Sequence, residues 1–482
     1  MHGPLTPCNP CSPSDQPTSF IPACFMKFIS SSCASLGLAL LLNGIPLTAQ
    51  VDAGKPDPTY SVPAALDLPY ALAFALDNNF AIRQAKERIR QQDGVVLEVR
   101  STQIPTVAAG GSLQRNDTSV GPTGEDRYWS FSITAKQTLY SGGGVSAQVR
   151  GQQLNLDASI LTLQAVINDA LLEVRTRFYT VLVNRERIKV QEQNTELLKR
   201  QLQDVKNRYE AGTVSNFEVL RSEVALANAQ TPLITARNDY RLAIEELRRS
   251  LGLVTAAENN LANVPEFQGT LEFTPASFDL RTALVAAREQ RPDLLRLKKL
   301  AQAAEEGVTA RRAGYLPSVA LFGAYDWRKA AGSNNFPGDR DGWTFGLSSA
   351  WNIFDGQATS GRVAQARSVL AQAKLFVEEA QLSVDVDVRR AISTFQQANE
   401  LAEASKKVVE QATEALRLAN ARYNAGTATQ LDVLTSQVDL TTARLNQVQA
   451  YYSYNVAVAT TRKAMGLTDE LRPGGELRDP AK

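Results

Sequence analysis

Beyond Cys33 the chain has no cysteine, and its single histidine is His2. Everything downstream therefore lacks disulfides, thiol nucleophiles, imidazole bases and Cys- or His-ligated zinc. Charge of one sign is missing too: 51 Lys and Arg stand against 50 Asp and Glu, a net charge of +1. No global field recruits nucleic acid, and the charges read as solvated helix faces. Cys8 and Cys11 have the CxxC spacing of a redox site or half a zinc site. They sit in a Pro/Ser-rich stretch with no second pair, which speaks against either role. No nucleophile elbow occurs, so the sequence points to no enzyme, no catalytic residue, no cofactor and no metal.

What the ends contain is a leader. From Met26 the chain reads MKFISSSCASLGLALLLNGIPLTAQ, one Lys followed by an apolar run centred on residues 36–42 and a short exit. That order is a secretory signal peptide, too short for a spanning helix. Residues 1–50 are read as the leader, with Met26 as an alternative start. Cys33 precedes the apolar run, which disfavours a lipid anchor.

The body of the chain is written twice. Residues 208–253 begin RYEAGTVSNFEVLRSEVAL, and residues 422–467 begin RYNAGTATQLDVLTSQVDL, with 17 of 46 positions identical and no gap. Repetition at a fixed offset marks two copies of one structural unit. The first copy spans 51–253 and the second 279–467, with a poorly patterned linker at 254–278 and a Pro/Gly/charged tail at 468–482.

Each copy has one plan. A helix is expected over 68–103, then a hairpin over 106–140 in which Trp129, Phe131, Ile133 and Ala135 share a face, the period-two pattern of a strand with one apolar side. A helix over 145–209 follows, on the order of 100 Å long. It breaks at Ala211-Gly212-Thr213, where glycine permits a left-handed turn and Ser215 can cap the returning helix over 216–250. The second copy repeats this with a helix over 279–314, a hairpin over 318–351, a long helix over 359–423, a turn at 423–429 and a helix over 430–464. In the second long helix, Val363, Ala366, Leu370, Ala373, Val377 and Ala380 alternate steps of three and four, a coiled-coil period. The helix after Gly212 is expected to be continued end to end by the helix near Asp279. Four strands cannot close a membrane barrel, so strands that cross a bilayer require several chains to share one. An ordinary soluble sheet packed on the helices is the competing reading.

The doubled RYxAGTxxxxxVLxS motif after a long unbroken helix, the paired amphipathic hairpins and the leader resemble the TolC-type outer membrane efflux protein family. The resemblance implies a mainly α fold with two membrane β-hairpins. Its duplicated helical hairpins would form a trimeric α-barrel joined to a shared 12-stranded β-barrel in the Gram-negative outer membrane. It implies a passive exit duct of an efflux or type I secretion system, engaged by a periplasmic adaptor and an inner membrane pump of the RND, ABC or a similar class. It places an adaptor-docking tip at Arg208, Tyr209, Gly212, Thr213, Ser215, Arg422, Gly426, Thr427 and Thr429. It places a periplasmic gate at Glu218, Tyr423 and Asp432, with a Tyr423 to Glu218 contact holding it shut. Ala428 stands where a well-known member has a basic gating residue, and Thr435 where a second acidic ring would be; Arg221 or Arg422 would have to compensate. Trp129, Trp327, Trp343 and Trp351 are expected in interfacial belts. A periplasmic coiled-coil adaptor or scaffold is the alternative, although such proteins carry one helical hairpin where this chain has two.

Overall fold

Asn79 divides the first expected helix. The structure, a computed structural model, describes residues 65–115, 117, 127–253, 266–328 and 340–467. The leader, the tail and residues 254–265 of the linker lie outside the described residues. In place of one helix over 68–103, α1 (Leu68–Asn78) and α2 (Phe80–Ser101) meet at an extended Asn79 whose side-chain oxygen accepts from the N–H groups of Ala81 and Ile82. An asparagine that caps the next helix gives the backbone an alternative to continuing. The second copy divides at Arg291, between α5 (Leu280–Gln290) and α6 (Pro292–Arg312), because the residue before proline is pushed out of helical space. A short 3-10 turn, Ala313–Tyr315, replaces the expected last turn.

The strands and long helices fall close to expectation. β2 (Thr106–Arg115) and β3 (Arg127–Ser141) form the first antiparallel hairpin, β5 (Ser318–Arg328) and β6 (Arg340–Ala350) the second. β3 also pairs with β5, so all four make one sheet in the order β2-β3-β5-β6. The register puts Leu113 beside Trp129, Phe131 beside Trp327, Tyr325 beside Trp343 and Leu321 beside Leu347, one continuous apolar face. Trp351 falls just past β6, not within it, and donates its indole N–H to the Tyr315 carbonyl.

α3 (Gly144–Glu210) and α7 (Ala358–Asn424) each run 67 residues, about 100 Å. Their returning partners, α4 (Asn216–Leu251) and α8 (Gln430–Ala464), are about half that length. The expected end-to-end continuation of α4 by α5 is not what the structure has. α4 ends against the α1–α2 joint of its own copy: Asn79 donates to the Ser250 carbonyl at 2.7 Å, and a Cβ on Gly252 would lie 2.3 Å from the Asn78 carbonyl oxygen. α2 thus extends the line of α4 along α3. By the same rule α8 ends at Gly466 against Gln290 and Arg291, and α6 extends its line. The length argument holds, but the continuing helix comes from earlier in the same repeat.

The result is two rows of four helices. Around the first half of α3 the order is α2, α3, α6, α7, with Arg150–Glu306 and Lys299–Asp157 pairing α3 to α6. Around the second half it is α4, α3, α8, α7. At the level where the rows meet, β1 (Ala65–Leu66) pairs in parallel with β4 (Glu266–Phe267), the described start of a segment the sequence leaves unpatterned. Arg185 of α3 donates to the carbonyls of Phe267 and Gly269, holding that segment against the helices. Leu171, Val174, Phe178, Ala243, Leu247, Leu251 and Phe267 form the largest buried cluster there. Among the described residues no helix is long and apolar enough to cross a membrane.

Candidate functional site at the helical tip

The two turns of the repeat lie side by side at the far end of the helices from the sheet. Gly212 and Gly426 both adopt the left-handed conformation, φ 71 and 74. In each, the glycine N–H returns to the tyrosine carbonyl (Tyr209, Tyr423) and the next N–H to the arginine carbonyl (Arg208, Arg422), the two bonds of a Schellman ending. The hydroxyls of Thr213 and Thr427 double the second bond. Arg-Tyr-x-Ala-Gly-Thr is thus a turn in which the motif's Thr satisfies helix-end carbonyls.

The two turns are tied together. Arg208 donates to Asn424 at 2.9 Å and lies over the Tyr423 ring at 4.9 Å. Thr429 caps α8 in a reciprocal box, the Asp432 carboxylate accepting from the Thr429 N–H and hydroxyl at 2.8 and 2.9 Å. These bonds hold the Asp432 carboxyl below the usual carboxylate range, with Arg422 adding to the effect. Ser215 occupies the matching position in the first copy but makes no side-chain cap, so the expectation of a Ser215 cap fails.

Of the expected gate residues, Tyr423 and Glu218 are brought together without the bond expected of them, and Asp432 is engaged by Thr429 instead. The Tyr423 hydroxyl and one Glu218 oxygen are both buried and without a hydrogen-bond partner. Burial, and next the Glu218 carboxylate, push the Tyr423 hydroxyl above its ordinary value, while Arg208 pulls it down. The Tyr423 hydroxyl and the Glu218 carboxylate interact through charge without a hydrogen bond between them.

Four residues at this end went unread in the sequence. Phe217 and its repeat partner Leu431 stand exposed in the first turns of α4 and α8, at 68% and 47%. Ser222 and Gln430 are both buried and bonded to each other. The repeat offset could have flagged the first pair, since both copies place a large apolar residue where a solvent-facing helix start calls for a polar one.

Of the aromatic residues, Trp327 packs between Phe131 and Tyr325, with ring centroids 5.4 and 4.4 Å away, and Trp343 is 77% exposed on the same face. Trp129, Trp327 and Trp343 gather at the loop end of the sheet and Trp351 at the helix end.

The sequence profile of the family described as outer membrane efflux protein matches residues 72–253 and 283–467, both copies of the repeat. The chain belongs to the outer membrane efflux protein family. It is 28% identical to protein CyaE of Bordetella pertussis over 385 residues, covering 80% of each chain. It is 24% identical to the outer membrane efflux protein BepC of Brucella suis over 447 residues, covering 91% of each. The fold matches the crystal structure of VceC from Vibrio cholerae with a TM-score of 0.71 at 16% identity, covering 84% of this chain and 97% of that one. An outer membrane efflux protein works in the Gram-negative outer membrane with a periplasmic tunnel, and the family match does not favour the adaptor reading.

Proposed function

We propose that three copies of this efflux protein close into one exit duct, with a shared 12-stranded β-barrel in the membrane and a helical barrel beneath it. What carries the reading is the coincidence of open edges. The sheet ends in β2 on one side and β6 on the other, and the helix rows end in α2 and α4 on one side and α7 on the other. An unpaired strand edge is not tolerated in hydrocarbon, so β6 of one chain needs β2 of the next. The edge helices carry exposed apolar residues at both levels: Leu375 and Leu382 on α7 and Leu97 on α2 nearer the sheet, Leu401 and Val408 on α7 and Val224, Ile234 and Leu242 on α4 nearer the tip. Trp343 and Trp351 are eight residues apart, about 26 Å along the chain and about 20 Å in height at the usual strand tilt, near the height of a membrane-facing band.

The duplicated units over 51–253 and 279–467 each supply one hairpin of strands and one of helices. At the periplasmic end, the tip residues Arg208, Tyr209, Gly212, Thr213, Ser215, Arg422, Gly426, Thr427 and Thr429, with exposed Phe217 and Leu431, dock a periplasmic adaptor that recruits an inner membrane pump. Glu218, Tyr423 and Asp432 line the closed mouth, where threefold symmetry sets three Asp432 carboxylates round one axis and favours cations. Replacing Gly212 and Gly426 with Trp tests the docking tip. Export should fall at least about tenfold in cells while trimers still assemble, since neither glycine has a neighbour within 4 Å of a Cβ. Normal export from such a variant would reject the tip as the docking surface.

A further inference from the structure

The two helical hairpins are held together by amides, not by an apolar core. Among the described residues the buried apolar cluster nearest the tip, Leu416, Val433 and Leu440, lies within the α7–α8 hairpin, and the cluster of Phe395, Ala402 and Tyr454 lies farther from the tip, where Phe273 and Phe278 pack on it. Neither joins α3 or α4 to α8. That seam is polar instead: Gln437 and Thr441 of α8 both reach Asn194 of α3, Arg444 donates to Gln193, and Arg187 donates to Gln449 at 2.7 Å. Such bonds are individually weak and directional, so the seam suits two bodies that shift against each other better than a fused core does.

A further rung joins α4 to α8 near the exposed Arg208–Asn424 bond between α3 and α7. Gln430 donates its side-chain amide to the Ser222 hydroxyl, and both residues are 3% exposed. Ser222 in turn donates to the Glu218 carbonyl at 3.0 Å, so its proton is committed and the amide must be the donor. The other end of the same amide, Oε1, is buried with no partner. A buried unpaired acceptor penalises the closed arrangement, which leaves the rung shallow enough to release.

We propose that Ser222–Gln430 is the latch of the closed tip, a neutral hydrogen bond that does the work expected of an ionic contact. The proposal rests on the reading of the tip as the opening end. Tyr423 makes no hydrogen bond to Glu218, Asp432 is engaged by Thr429, and Ala428 offers no cation; Arg208–Asn424 is exposed and joins α3 to α7, so among the described residues the buried amide is the side-chain bond between α4 and α8. A neutral pair is hardly screened by salt.

Two variants of the full-length protein in planar bilayers test this. Ser222→Ala removes the acceptor and leaves the whole Gln430 amide unpaired in the closed state; the open fraction should rise about fivefold, equally at low and high salt. The double variant Ser222→Cys/Gln430→His places a thiol and an imidazole where the latch sits, in a chain with no other Cys past Cys33 and no other His past His2. Cd2+ should bridge them, protect the thiol from alkylation, close the channel and be reversed by a chelator. Closure by Cd2+ with no effect of Ser222→Ala would overturn the latch and leave the opening tip standing. A protected thiol with undiminished current would overturn the opening tip itself, and a thiol that Cd2+ fails to protect would show that the two positions do not adjoin, ending the proposal.

Discussion

Gly252 and Gly212 share a backbone conformation, φ 76 and 71, but not a neighbourhood. A Cβ on Gly252 would press on the Asn78 carbonyl at 2.3 Å, whereas Gly212 has nothing within 4 Å. Gly212→Ala therefore carries only left-handed strain, about 1 kcal/mol. Gly252→Ala must also push apart the joint between α4 and α2, and a loss of about 3 kcal/mol or more is expected. Thermal melting of helix signal in detergent separates the two; equal losses would mean that the joint gives way freely. Asp432 makes a second case at this scale. Its carboxyl is held below the ordinary value by Thr429, so the cap it contributes is fully present above about pH 4 and is lost as pH falls through the lower folded value. Cation selectivity from an Asp432 ring should be constant between pH 8 and 5 and vanish in Asp432→Ala. Unchanged selectivity in that variant would leave the carboxylate as a helix cap alone.

At the level of elements, what was legible in the sequence was what is local. The repeat and its turn placed α8 at Gln430–Ala464 to the residue, and the period of apolar residues placed α3 and α7 within one residue at each end. Alternation found all four strands. The breaks at Asn79 and Arg291 were hidden because the apolar pattern runs through them; Pro292 was the available signal in one copy, and the doubled asparagine in the other. The partner of α4 was not legible at all. Which helix continues it depends on Asn79 reaching Ser250, 171 residues away, and no periodicity reports such a contact. At the tip, the turn chemistry of Gly212 and Gly426 was readable because glycine is needed for a left-handed ending. The Ser222–Gln430 rung was not, because two ordinary polar residues become informative only once both are buried.

For the whole molecule, the sheet and the helix rows leave open edges that, in the proposed duct, further copies cover. The strands run in the order β2-β3-β5-β6 and the helices from α2 or α4 through α7, so in the proposed duct one rotation would close both. A closed ring of identical contacts is how most soluble and membrane oligomers avoid open-ended assembly. Four strands per chain make the number of copies decide the barrel, and three copies give 12 strands. The most direct measurement is the native mass of the protein extracted from outer membranes in mild detergent. Three chains per particle are expected at all protein concentrations tested; a stable particle of one, two or four chains would contradict the shared barrel.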